Sequence, residues 1–168
     1  MIALTLQEIA DITGGRLDCV EDPSAQVTGF VEFDSRKVTP GGLFLALPGA
    51  RVDGHDFAEK AVASGAVAVL AARPVGVSAI VVEPKGKVEG DGANADIYAN
   101  DEDGSAAAVI EALSALARAV TQRLATDSAL NIVGVTGSAG KTSTKDLIAT
   151  IFRAAGETVA PPGSFNNE

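Results

Sequence analysis

The residues best equipped for chemistry lie in one run, Gly-Val-Thr-Gly-Ser-Ala-Gly-Lys-Thr-Ser-Thr from Gly134 to Thr144. An apolar strand should precede it and a helix should open from Lys141, the setting a phosphate-binding loop requires. Gly137 and Gly140 let backbone amides of the Gly137-Ser138-Ala139-Gly140 turn approach a phosphate closely, and the helix N-terminus adds partial positive charge. Lys141 can bridge the β- and γ-phosphates, and the Thr142 hydroxyl can sit on Mg²⁺, with Ser143 next in the helix. Lys141 and Thr142 are therefore the catalytic candidates, and Thr142 is the metal candidate. The strict loop pattern places a glycine at position 135, where Val135 stands; the glycine comes one residue earlier, at Gly134. No strand ending in a second metal-binding acid follows, and no pocket for a base is evident.

A second group of polar residues precedes the loop. Ser35 and Arg36 follow a predicted strand, where ligands of α/β proteins bind, and the arginine fork suits a diphosphate. An ion pair between Asp34 and Arg36 is the structural alternative. His55 is the only histidine and either decorates a turn or touches a substrate; with no second ligand nearby it is not a metal site. Cys19 reads as a small strand residue. Asn166 and Asn167, near the end of the sequence, have amides suited to substrate amides or phosphate oxygens.

These groups need a scaffold, and the pattern predicts one. Met1–Leu4 reads as a strand, followed by a helix that Thr5 and Glu8 cap reciprocally and Gly14-Gly15 ends. Strands are expected at Val27–Phe33, Leu43–Leu47, Ala66–Ala71 and Ala79–Val82, the last two as apolar runs buried on both faces. Asp56 and Glu59 should cap an intervening helix that packs Phe57, Ala58, Ala61 and Val62 and stops at Gly65. Glu83–Asp103 carries seven acids against Lys85 and Lys87, which marks a solvated linker. Beyond it Ala106–Leu124 is a helix with Ile110, Leu113, Ala117, Val120 and Leu124 inward. Asn131–Val135 is expected as a buried strand. Lys141–Ala155 is expected as a helix burying Leu147, Ile148, Ile151 and Phe152, and Glu157–Ala160 as the start of another strand. The fold class is α/β: a small N-terminal α/β domain (1–83), an acidic linker (84–103), and the start of a phosphate-loop α/β sheet (104–168).

Composition narrows the possible functions. The chain has 168 residues, 46% of them hydrophobic, enough for a core. Thirteen basic residues against 22 acidic ones give a net charge of −9, which disfavours nucleic acid or an anionic membrane as a partner. One cysteine excludes a disulfide framework. No run approaches the roughly 20 apolar residues of a membrane span, and the N-terminus lacks signal-peptide features. A cytoplasmic protein is expected.

Thr136–Thr144 resembles the ATP loop of the Mur ligases, the ATP-dependent amide-forming enzymes of peptidoglycan synthesis. Phe33–Arg36 (F-D-S-R), Pro40–Gly49 (P-G-G-L-F-L-A-L-P-G) and Asp53–Phe57 (D-G-H-D-F) are similar, in order and spacing, to the substrate-binding domain of the MurE and MurF types. Pro161–Glu168 (P-P-G-S-F-N-N-E) is similar to the MurF type, and the wording is most like its actinobacterial members. The resemblance implies ATP and Mg²⁺ as cofactors, and UDP-N-acetylmuramoyl tripeptide and D-alanyl-D-alanine as substrates. It also implies a reaction through an acyl phosphate. Ser35, Arg36 and His55 would then belong to the site for the uridine-diphosphate end, and Asn166 and Asn167 to the substrate site. The resemblance further implies a monomer, and a chain that is the N-terminal portion of a longer enzyme and inactive by itself. The alternatives are a MurE-type ligase adding the third amino acid, or a non-catalytic nucleotide-sugar-binding module.

Overall fold

The computed structural model describes residues 2–49, 52–87, 101–127 and 130–161. The chain divides into two compact units, Met1–Ser128 and Ala129–Glu168.

The first unit is built on five strands in the order β2-β7-β6-β5-β4. These are β2 (Arg16–Asp18), β4 (Val31–Glu32), β5 (Gly42–Leu45), β6 (Ala66–Ala71) and β7 (Ala79–Val81). β4, β5, β6 and β7 run parallel, and β2 closes one edge antiparallel to β7. A separate antiparallel pair joins β1 (Leu4–Thr5) to β3 (Gln26–Val27). The predicted Val27–Phe33 strand is thus two short strands belonging to different sheets.

Alternation along β5 and β6 divides the core between the two faces. Leu43, Leu45, Ala68 and Leu70 pack with Leu4, Leu6, Ile9 and Val27 on one face. Phe44, Ala46, Val69 and Ala71 pack with Ala58 and Ala61 on the other. Helix α1 (Leu6–Thr13) covers the first face and short helix α2 (Ala58–Ala63) the second. The capping box of α1 forms as its sequence requires: the Glu8 amide donates to Thr5 Oγ1 at 3.1 Å, and the Thr5 amide donates to Glu8 Oε2 at 2.9 Å. Gly14 ends the helix at φ 67°, where only glycine is unstrained.

Helix α3 (Ser105–Asp127) is where the tertiary structure departs most from the sequence pattern. It lies on the first unit, so the compact units part near residue 128 and not within 84–103. Val109, Ala112 and Leu116 are buried with Leu6 and Ile9. Arg123 reaches Glu8 of α1 at 3.1 Å. The buried stripe is rotated from the predicted one: Leu113 and Val120 are partly buried, whereas Ala117 is exposed. An alanine-rich helix offers several weak stripes, and the partner selects among them. The helix start is pinned by Asp101, only 4% exposed, whose carboxylate accepts from the Ala106 and Ala107 amides at 2.9 and 2.8 Å. Most of the expected acidic linker, residues 88–100, lies outside the described residues.

The second unit carries helix α4 (Lys141–Arg153) and, among its described residues, no strand. The strands expected at Asn131–Val135 and Glu157–Ala160 are not formed. Ile132, Leu147 and Ile151 are 68%, 67% and 69% exposed, and Ala149 alone is buried on α4. The expected inward face of α4 is therefore an exposed face. A strand needs a hydrogen-bonded neighbour and an apolar helix face needs a sheet, and the described residues of this unit supply neither.

Candidate functional site

Two sites emerge, one in each unit. The first lies at the C-terminal ends of β4, β5 and β6, where open α/β sheets bind ligands. Past β4, Asp34 holds Arg36 through a bidentate bond: Nε and Nη2 donate at 2.8 Å each, and the Arg36 amide donates at 3.1 Å. The Arg36 side chain binding to it keeps the Asp34 carboxyl far below the usual carboxylate range, and Asp34 in turn raises the arginine. The Asp34–Arg36 pair weighed as a structural alternative is present. It does not use up the guanidinium: the Arg36 side chain remains 78% exposed, and Nη1 is unused by Asp34. Ser35, between them, is buried.

Past β5 the chain turns back on itself. Gly49 N donates to Val52 O at 3.1 Å, Gly54 N donates to Leu47 O at 2.9 Å, and Pro48 bridges Asp53. A side chain at Gly54 would run into the Leu47 backbone, so the turn closes only around glycine. Asp53, not Asp56, caps the helical turn that follows, accepting from the His55 amide at 2.9 Å. That turn is a 3₁₀ turn, Gly54–Phe57, and α2 begins after it with no side-chain cap.

His55 is buried, and both ring nitrogens are engaged. The Ala72 amide, at the end of β6, donates to Nε2 at 3.1 Å. A backbone amide can only donate, so Nε2 carries a lone pair, and the proton sits on Nδ1. That proton is given to Asp53 Oδ1 at 2.6 Å. The imidazole is thus neutral and faces inward, with both ring nitrogens taken up by the protein. Arg73 completes the group, donating to Asp53 Oδ2 at 2.8 Å and standing 3.8 Å from Asp56. Burial of the Asp53 carboxyl works against ionisation, but the bonds from His55 and Arg73 outweigh it and hold the group at about 2. Sequence reasoning missed Arg73 and the role of Asp53. A second acid two residues before the only histidine was the available signal.

Cys19 is exposed just past β2, at φ 52°, and is not a packed strand residue.

The second site is the loop before α4. Gly137 has φ 149° and Gly140 has φ 76°, both in the region that disfavours side chains. Gly140 is the N-cap and offers no side-chain oxygen, so no cap occupies the first-turn amides from Lys141 onward. The Lys141 ammonium donates to the Gly137 carbonyl at 2.7 Å, folding its charge over the loop. Thr142 and Ser143 are exposed. This donor set suits a polyphosphate: uncapped amides, a helix N-terminus and one ammonium. For Mg²⁺ the exposed Thr142 hydroxyl could serve as one oxygen ligand. No group of three histidine, cysteine or acidic residues among the described residues is placed to hold a metal ion. Phosphate oxygens and water would complete such an ion's shell. Asn166 and Asn167 lie outside the described residues. No helix of the described residues is long and apolar enough to cross a membrane.

Comparison with known proteins places these features in a family. The family model "Mur ligase family, catalytic domain" matches residues 28–139, running from β4 into the phosphate loop. Over its whole length the chain is 58% identical to 33% of "UDP-N-acetylmuramoyl-tripeptide--D-alanyl-D-alanine ligase" of Mycobacterium leprae. It is 34% identical, again over its whole length, to 30% of the Escherichia coli protein of the same name. A "UDP-N-acetylmuramoyl-L-alanyl-D-glutamate--2,6-diaminopimelate ligase" of Geobacillus thermodenitrificans is 37% identical over 82% of the chain and 23% of that protein. A crystal structure of MurF from Acinetobacter baumannii superposes with a TM-score of 0.64 at 27% identity, covering 90% of this chain and 28% of that one. The chain spans about a third of the length of the mycobacterial relative. With one matched stretch running from the strand-end site into the phosphate loop as far as residue 139, and with identity to a curated member over the whole chain, this chain belongs to the Mur ligase family.

Proposed function

We propose that this chain is the N-terminal part of an ATP-dependent amide ligase of the MurF type, which joins D-alanyl-D-alanine to UDP-N-acetylmuramoyl tripeptide. The observation that carries the reading is the loop 137–143, whose glycines hold positive φ before a helix with no side-chain cap. The MurF type is favoured over the MurE type because identity of 58% extends over the whole chain, against 37% over 82% of it.

In this reading the first unit holds the uridine-diphosphate end of the substrate at its strand ends, and the second unit, from Ala129, begins the ATP-binding part. Arg36 meets the diphosphate with its free guanidinium edge, and Ser35 lies beside it. The amides of Gly137–Gly140 and of the first turn of α4 cradle the ATP phosphates. Lys141 leaves the Gly137 carbonyl for the phosphate oxygens, and Thr142 would hold Mg²⁺, which would supply positive charge against the phosphoryl group. Phosphorylation gives the substrate carboxylate a leaving group, and the dipeptide amine then displaces phosphate. Asn166 and Asn167 are proposed to contact substrate. The protein works in the cytoplasm as a monomer. The remaining metal ligands, adenine pocket and amine site are assigned to the portion of the relatives that this chain does not cover, so the chain alone does not ligate.

NMR titration of the 168-residue chain tests both sites. Uridine 5′-diphosphate should shift the amides of Ser35, Arg36 and Phe44–Gly49, and Mg-ATP those of 137–143. Shifts from the diphosphate that cluster on Ala106–Leu124 would refute the first assignment.

A further inference from the structure

We propose that His55 is a positioning residue: as a neutral, Nδ1-protonated latch it holds the turn after β5 on the end of β6, and so presets the strand-end platform for a uridine-diphosphate group. The inference rests on the reading of the first unit given above, and it removes the imidazole from the ligand.

The latch joins the turn after β5 to the end of β6, 17 residues further along the chain. The Ala72 amide is the first past β6, beyond the strand's own ladder, and Nε2 is the acceptor it finds. Asp53 is tied at three points: it takes the His55 amide, the imidazole Nδ1–H and Arg73 Nη1. Through Pro48 and the Gly54 bond to Leu47, that anchored aspartate fixes where the chain leaves β5. β5 is hydrogen-bonded to β4, whose continuation carries Ser35 and Arg36. Alternatives for His55 fail on chemistry. A ligand bond at Nε2 would have to displace the Ala72 amide, and protonation would set an N–H against an N–H. With a side chain 1% exposed, the ring has no open edge.

The test uses the 168-residue chain and uridine 5′-diphosphate. Long-range ¹H–¹⁵N spectra should show the Nδ1–H imidazole both free and with the diphosphate; a change of tautomer or protonation on binding would mean direct contact and overturn the proposal. His55→Gln keeps a carbonyl that can accept from Ala72, whereas His55→Leu keeps bulk alone. Leaving a buried donor unpaired supports an expected loss of about tenfold or more in diphosphate affinity for His55→Leu. His55→Gln should recover to within about threefold of wild type, since its acceptor restores one such bond. Wild-type affinity in His55→Leu would overturn the positioning role. If that variant does not fold, Arg73→Ala decides, because it removes the exposed outer bond to Asp53 and leaves the core intact. About a threefold loss with an unchanged imidazole spectrum is expected there, and no loss overturns the proposal. Failure of the wild-type chain to bind the diphosphate would sink the reading of the first unit and the positioning role together. The latch itself would then be judged by hydrogen exchange at Ala72, slow in wild type and His55→Gln and fast in His55→Leu; equal rates would overturn it.

Discussion

Leu116→Ala distinguishes the observed structure from the one the sequence suggests. Leu116 is 1% exposed and shares a core cluster with Leu4, Leu6 and Ile9, more than a hundred residues earlier. Truncating a buried leucine costs roughly 2–5 kcal/mol, through lost transfer energy and the cavity left behind. At about 3 kcal/mol the first unit should melt roughly 10–15 °C lower, given its size. The assay is thermal and urea unfolding, followed residue by residue through hydrogen exchange at Leu70 in β6 and Leu43 in β5. Leu147→Ala on α4, at a position 67% exposed, is the control and should change stability by less than about 0.5 kcal/mol. If helix 105–127 belonged with the residues after it, β5 and β6 would lose protection at the wild-type midpoint in Leu116→Ala. That result would refute the placement of α3 on the first unit.

Asp101→Ala should destabilise the first unit by about 1–2 kcal/mol, with Asp101→Asn milder, because two amides lose a charged cap; calorimetric melting checks this. Gly104 and Gly76 have φ 79° and 75°, but a Cβ on Gly104 would collide with the Gly86 carbonyl while Gly76 is open. Gly104→Ala should therefore lower the melting temperature clearly more than Gly76→Ala, and equal effects would show that chain segments 86 and 104 do not meet. Asp53 is held at about 2 in the folded chain against roughly 3.9 unfolded. Its folded pKa is depressed, so its stabilisation is full above about pH 4 and is lost as pH falls toward 2. Asp53→Asn should flatten the acid-unfolding curve there, by at most about 1.4 kcal/mol per pH unit and less after solvent screening; unchanged steepness would contradict the latch geometry. Lys141→Ala should abolish the Mg-ATP binding seen by calorimetry, and equal affinity would remove the loop as the site.

Local signals were legible where a few neighbouring residues settle the conformation. The Thr5–Glu8 box, the Gly14 stop and the helix beginning at Lys141 all follow from contacts within about four residues, so the sequence carries them. The phosphate loop is of the same kind, because positive φ at Gly137 and Gly140 and the amides of one helical turn are local properties. What the sequence could not decide required partners far along the chain. Val109, Ala112 and Leu116 form the buried face of α3 because α1 and the sheet meet that face, and nothing in an alanine-rich periodicity says so. His55 turned inward because the end of β6 brings it a backbone amide 17 residues away and Asp53 waits on its other side. Asn131–Val135 reads as a strand by composition, yet pairing is a property of two segments. Among the described residues the second unit holds no other strand to complete it.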